Sequence, residues 1–198
     1  LPGVKSAGEG TAGLFVRGGS ADQNLVQVDG APVYNASHFF GIFSVFNPDG
    51  IKKVDLYKGN MPASYGGRAS ALIDVSLREG ETNRLSGEGG IGTISSRLTL
   101  QGPIFGEKSN FLISGRRTYA DLFLKLSSNP DIKNNQLNFY DLNGKAAFIL
   151  SDTDKLSFSS YQGSDFLGLS GQFGLGWKNW VSAINWNRVN SDSSFFDL

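Results

Sequence analysis

The residues that would carry the commoner nucleophilic and metal chemistries are few in this chain. His38 is the single histidine and there is no cysteine. A serine triad or a protein metal site would therefore have to be built on His38 alone, within the aromatic loop His38-Phe39-Phe40. A packing or ligand-contact role suits such a loop histidine better. Gly87 to Gly92 (GEGGIG) fits the letters of a dinucleotide fingerprint, but that fingerprint must open a helix after a strand, whereas Thr93 to Leu100 alternates like a strand. Arg17-Gly18-Gly19 is a single RGG, and 18 basic against 18 acidic residues leave no basic excess for nucleic acid. Arg116 and Arg117 are adjacent in a strand pattern and so point to opposite faces: one is expected to face inward, the other to reach toward a membrane edge.

The elements that must position these groups are strands and turns. Twenty-six glycines are about twice the usual ~7% and accompany 15 Phe, 6 Tyr and 3 Trp, a composition that favours strands and tight turns. No apolar run reaches the roughly 18 residues of a membrane-spanning helix. A spanning strand needs only about 9 to 11 residues and shows alternation instead.

The pattern changes near Glu79 to Asn83, which divides the chain into 1–81 and 82–198. In the first part, Leu14 to Arg17 and Leu25 to Val28 are short strands ended by Gly18-Gly19 and Asp29-Gly30. Asn47-Pro48 predicts a short helix over Pro48 to Lys53, followed by a strand at Val54 to Tyr57 and a half-buried strand at Ala71 to Arg78. The second part predicts five strands, near Ser86 to Leu100, Asn110 to Tyr119, Leu137 to Leu150, Lys155 to Asp165 and Gly174 to Val189. The third places Tyr140, Leu142, Gly144, Ala146, Phe148 and Leu150 on one face, suited to lipid, and Asp141, Asn143, Lys145 and Ala147 on the other, suited to water. Compact turns at 102–109, 151–154 and 190–193 alternate with longer links at 120–136 and 166–173, the asymmetry of outer-membrane barrels.

Gly13 to Gly19 (GLFVRGG) and Asn24 to Asn35 (NLVQVDGAPVYN) resemble the plug signature of TonB-dependent outer-membrane receptors. The likeness continues in order through Asn47-Pro48, Ile51 to Gly59 (IKKVDLYKG), Pro62 to Arg68 (PASYGGR) and Ala71 to Arg78 (ALIDVSLR). More weakly, it extends to Gly115 to Tyr119 and Trp186-Asn187.

The resemblance implies an α+β plug segment at 1–81, the C-terminal part of the plug domain. All-β antiparallel strands of an incomplete transmembrane β-barrel follow at 82–198. It implies ligand-gated, energy-coupled import across an outer membrane, of an iron chelate, corrinoid, glycan or peptide, with no enzyme activity, cofactor or metal. The implied partners are the lipid bilayer and an inner-membrane TonB-type energising protein, whose contact segment would lie outside these residues. A surface lipoprotein is a further partner such receptors can take; nucleic acid is not one.

Aligned by motif, the ligand-touching plug apices fall at Gly10 and Thr11, at Asp22, Gln23 and Asn24, and at Tyr34, Asn35 and His38. The alternative is that Asp22 and Asn24 merely close a turn and that Tyr34 packs on the barrel wall. Arg17 and Lys58 match two basic plug positions that pair with wall glutamates in some members, although Lys58 offers a point charge where many relatives carry Arg. The rival reading is a soluble carbohydrate-binding β-protein with a sugar platform of Trp177, Trp180 and Trp186. A hydrolase built on Ser, His38 and Asp is more remote.

Overall fold

Tight two-residue turns set the first part of the chain. In the computed structural model, which describes residues 2–6, 13–169, 173–191 and 194–197, the chain runs through β1 (Val4–Ser6), β2 (Leu14–Val16), β3 (Leu25–Val28), β4 (Ala31–Pro32), β5 (Ser37–His38), β6 (Phe43–Ser44), β7 (Ile51–Tyr57) and β8 (Leu72–Leu77). Arg17 and Gly18 have φ of 48° and 82°, and Asp29 and Gly30 have 47° and 85°. Positive φ at both central residues is the type I′ geometry whose twist matches paired strands. Val16 accordingly bridges Gly19, and Val28 faces Ala31 across the second turn. The Arg-Gly and Asp-Gly pairs of the sequence are thus two turns of one kind.

These strands form a four-stranded sheet in the order β4-β3-β8-β7. β3 and β8 run parallel, while β7 and β8 are antiparallel. Val75 and Leu77 on one face of β8 are 0–2% exposed while Asp74 and Ser76 on the other are partly exposed, the half-buried pattern expected, with Ala71 and Leu72 at its start also buried. The expected helix at Pro48 to Lys53 is only a 3-10 turn, Pro48–Gly50. Asn47 caps it as predicted, accepting from the Asp49 N–H at 3.3 Å. From Ile51 onward, pairing with β8 outcompetes the helix, because Arg78 N–H donates to Gly50 O and Ile51 faces Leu77.

The second part is one antiparallel sheet of seven strands in sequence order: β9 (Ser86–Ile91), β10 (Ser95–Pro103), β11 (Ser109–Thr118), β12 (Gln136–Ile149), β13 (Asp154–Leu169), β14 (Phe173–Ser191) and β15 (Ser194–Asp197). It is an open sheet, a barrel wall that does not close on itself within this chain. Two departures from the five expected strands explain the count. Ser86 to Leu100 folds as a hairpin at Gly92, whose N–H donates to Ser95 O, and β15 adds an edge. The GxGxxG letters therefore lie on β9 and its turn. The long link expected at 166–173 shrinks, since β13 and β14 continue to Leu169 and from Phe173. The link between β11 and β12 is long and carries two short helices, α1 (Ala120–Leu124) and α2 (Pro130–Lys133).

The two faces of this sheet are reversed relative to those of a soluble protein. Inward, toward the first sheet, Thr99, Ser114, Asp141, Asn143, Ser159 and Asp165 are at most 4% exposed. Outward, Leu98, Leu142, Phe158 and Ile184 are 43–67% exposed. The predicted alternation of β12 is therefore observed, with Tyr140 and Leu142 outward and Asp141 and Asn143 inward. The outward apolar positions also drift along the strands. Leu98 and Leu142 share a register row with Gln162, whereas Phe158 and Ile184 share a row with Gly102. Strands tilted in a barrel wall require such a drift to keep an apolar band level.

Phe158→Arg is expected to block membrane assembly, at a cost of about 2–4 kcal/mol near mid-bilayer. Ser160→Thr on the same face should be tolerated. Heat-modifiable migration of the membrane fraction on gels checks both.

Candidate functional site

The chemistry of this molecule is concentrated where the first unit sits on the inward face of the seven-stranded sheet. β5 and β6 form a minimal hairpin, His38 opposite Phe43, that pushes the histidine into the wall. His38 is 1% exposed. Its Nδ1 lies 2.7 Å from Asp165 Oδ2, and the other oxygen of that carboxylate accepts the Phe39 N–H at 3.0 Å. Nε2 faces Asp141 Oδ2 at 3.4 Å. Asp141 is held in turn by Arg116, through Nη2 at 2.7 Å and Nε at 2.8 Å, and Arg116 Nη2 reaches back to donate to Ser44 O at 2.6 Å. The imidazole lies flat on Phe139, with ring centroids 4.0 Å apart and planes 9° apart.

Burial pulls the His38 pKa down, but hydrogen bonding to Asp141 and Asp165 and their charges outweigh it, and the net shift is upward. An imidazolium can donate from both nitrogens and so matches two carboxylates. Tyr161 fills the space beside it; a side chain on Gly163 would collide with the Tyr161 hydroxyl.

Other contacts follow the same plan. Lys145 of β12 pairs with Asp29 at 3.0 Å, both side chains at most 10% exposed, and donates to Leu77 O at 3.3 Å. Asp29 Oδ1 accepts the Leu77 N–H at 3.0 Å, so one residue of the Asp-Gly turn ties together the turn, β8 and the wall. Arg97 pairs with Asp49 at 3.2 Å and Lys155 with Glu79 at 2.7 Å. Asn47 Nδ2 donates to Ser114 Oγ at 2.6 Å, and Asn185 Nδ2 to Asp29 O at 3.2 Å.

In the Lys145, Arg97 and Lys155 pairs the cation comes from the wall and the anion from the smaller unit, whereas Arg78 of the smaller unit pairs with Glu88 of β9 at 3.2 Å, the polarity anticipated for Arg17 and Lys58. Those two residues sit elsewhere. Lys58 Nζ donates to Pro2 O at 2.9 Å, and the Arg17 guanidinium lies against Gly59. Neither forms an ion pair among the described residues. Arg97, Lys145 and Lys155 were missed because each meets its acidic partner at least 48 positions away in sequence; only the inward parity of Asp141 and Lys145 on their strand was legible.

Of the predicted apices, Asp22, Asn24, Tyr34 and Asn35 line one cavity of about 780 Å³. Its apolar wall includes Val26, Val33, Phe46, Val54 and Ile73. Asn24 donates to Leu14 O at 2.7 Å, while Asn24 Oδ1 and Gln27 Oε1, both buried, have no hydrogen-bond partner among the described residues. Ser20 hydrogen-bonds the Asp22 carboxylate and holds it below the usual carboxylate range. Gln23 is not a lining residue and instead accepts the Ser20 N–H at 3.2 Å. Tyr34 and Asn35 offer their carbonyls to Asn179 Nδ2. His38 faces the wall, not this cavity. Gly10 and Thr11 lie outside the described residues.

Among the described residues no group of three potential metal ligands occurs. Trp180 and Trp186 lie on the outward face and Trp177 on the inward one by register parity, so the three do not make the sugar platform of the rival reading.

A small α+β unit seated by buried polar contacts on the inside of a sheet whose outside is apolar defines a plugged barrel wall. Residues 1–72 match the family model described as the TonB-dependent Receptor Plug Domain. Residues 1–72 are thus similar to the plug of TonB-dependent receptors, and the strands that follow have the fold of adjoining barrel wall. The fold is similar to the siderophore receptor PirA from Acinetobacter baumannii, with a TM-score of 0.66 at 15% identity over 100% of this chain and 35% of that one. It is also similar to a mutant of the ferric enterobactin receptor PfeA from Pseudomonas aeruginosa, with a TM-score of 0.58 at 15% identity over 100% and 40%. The chain thus spans little more than a third of the length of these receptors. No curated protein matches it. The family is one of receptors and transporters of the outer membrane, not of enzymes.

Removing one partner of the Lys145–Asp29 pair leaves the other charge buried. Lys145→Ala is expected to destabilise plug seating by about 3–5 kcal/mol, read as a lower denaturant midpoint for plug release in the intact receptor.

The His38 contacts stabilise the imidazolium. Because the folded pKa is raised, their contribution is fully present below the unfolded value near 6.5 and is lost as pH rises through the folded value. Hydrogen exchange at residues 37–41 should accelerate on alkalinisation in the wild type. In His38→Gln it should follow only the intrinsic pH dependence of exchange.

Proposed function

We propose that these residues belong to a ligand-gated, energy-coupled importer, with the plug ending near Glu81 and the wall beginning near Thr82. The observation that carries this reading is the inverted sheet: its polar face is used up in seating a separate unit, and its apolar face is left exposed. Such a unit blocks the lumen until something displaces it, so binding and gating are the functions and no bond is broken. The displacing pull would come from a TonB-type inner-membrane protein, and a surface lipoprotein could hand over ligand from outside.

The ligand would meet the plug at Asp22, Asn24, Tyr34 and Asn35, with Gly10, Thr11 and Gln23 completing the apex set, while His38, buried against the wall, would act as an anchor and not as a ligand contact. Arg17 and Lys58 would pair with glutamates of wall strands beyond these. Among iron chelates, corrinoids, glycans and peptides, an iron chelate is the first to assay, because both structural neighbours named above are described as siderophore or ferric enterobactin receptors.

In the intact receptor, Tyr34→Ala combined with Asn24→Leu is expected to lower energised uptake of the ligand about tenfold or more, from two lost contacts of about 1 kcal/mol each. Lys58→Glu should change either uptake or plug release. Transport indifferent to all three substitutions would remove this site from consideration.

A further inference from the structure

Arg117 stands out on the outer surface because nothing answers its charge. It lies on the outward face of β11, exposed, and has no ion-pair partner among the described residues, whereas its neighbour Arg116 points inward to Asp141. Register places Ser96, Arg117, Tyr140, Ser164 and Lys178 in one row across the wall. The row holds two cations and no carboxylate.

One step along the same face is the row Leu98, Gly115, Leu142. Gly115 has no side chain, so a notch opens between two leucines that are 56% and 43% exposed. The resulting hollow, about 400 Å³, is lined by Ser96, Leu98, Gly115, Arg117, Tyr140 and Leu142 of the outward face and by parts of the inward-paired Arg97, Arg116 and Asp141. It spans β10, β11 and β12, inside the sheet rather than at its open edges.

We propose that this hollow binds a phosphorylated membrane lipid, with the phosphate on Arg117 and an acyl chain in the Gly115 notch. The chemistry is complementary at both ends. A guanidinium presents a planar fork that fits phosphate oxygens, and Ser96 and Tyr140 supply hydroxyls beside it. The notch is apolar and continuous with the exposed apolar face, which a free phosphate would leave empty. Only an amphiphile with an anionic head fills both. Lys178 adds a second positive charge roughly 14 Å along the row, at three strand spacings of about 4.8 Å, and so raises the local anion preference without touching the same phosphate. The inference rests on reading this face as lipid-facing.

Two substitutions test it. Arg117→Gln removes the charge. Gly115→Leu fills the notch from the outward face, and its Cβ is accommodated, since it would meet Leu142 Cδ1 at 3.5 Å and Asp141 O at 3.8 Å, ordinary contacts. The intact receptor is inserted into bilayers of mixed phosphatidylcholine and phosphatidylglycerol, and the lipids that stay bound on extraction are identified by native mass spectrometry.

The wild type should retain phosphatidylglycerol over phosphatidylcholine. Arg117→Gln should lower that retention about tenfold, the worth of one charged hydrogen bond. Gly115→Leu should lower it with Arg117 intact, and inorganic phosphate should not displace the lipid. Equal retention of the two lipids, indifference to either substitution, displacement by inorganic phosphate, or a second receptor copy occupying the face would each overturn the site. A wild type that fails to enter the bilayer would overturn the membrane reading and the site together, whereas insertion with indiscriminate lipid retention overturns the site alone.

Discussion

Everything in this structure depends on how a polar interface is satisfied inside a sheet whose other side is apolar. A wall that offers most of its hydrophobic residues outward leaves mainly serines, threonines, asparagines and charges for the lumen, with Leu112, Phe139 and Tyr161 among them. Each of the polar groups, once covered, needs a partner. The plug is that partner. Its Asp29, Asp49 and His38 meet Lys145, Arg97, Asp141 and Asp165, and its carbonyls at Ser44, Leu77 and Asp29 accept from Arg116, Lys145 and Asn185. An apolar plug would leave those wall groups orphaned.

The same constraint explains why the seat is also a device that can let go. Hydrophobic contacts do form across it, with Tyr161 of the wall in one cluster with Val28, Val45 and Val75 of the plug. Most of the remaining contacts are ion pairs and hydrogen bonds, whose net worth is small while they are satisfied and whose loss is costly when only one partner is removed. If water follows the plug out as it moves, both sides are resolvated together. A polar seat is thus rigid against single defects and permissive toward concerted displacement.

Turn chemistry links the plug's own fold to that seat. Asp29 and Gly30 must both adopt positive φ to close the β3–β4 hairpin, and the turn leaves the Asp29 carboxylate free to take the Leu77 N–H on one oxygen and Lys145 on the other. A residue required for local geometry is thereby also a docking point. The outer face is simpler: where the sheet has no plug to satisfy, its charges either gather at the rim, as Arg117 and Lys178 do, or are absent.

Periodicity in the sequence was enough to place β11 to β14 of the wall, though not the hairpin within Ser86 to Leu100 or β15, and to determine which face of β12 is wet and that the Arg-Gly and Asp-Gly pairs are turns, because each is set by neighbours within a few residues. The order of motif blocks identified the plug. It could not determine the polarity of the plug–wall contacts, since Lys145 and Asp29, or His38 and Asp165, are brought together only by the docking of two sheets. Nor could it shorten the helix at Pro48: the cap was legible, but the strand that ends it pairs with residues more than twenty positions on. His38 shows the difference most clearly. Its sequence context left packing and ligand contact both open, and only the assembled fold, by placing two carboxylates and a phenyl ring around it, made it a buried anchor.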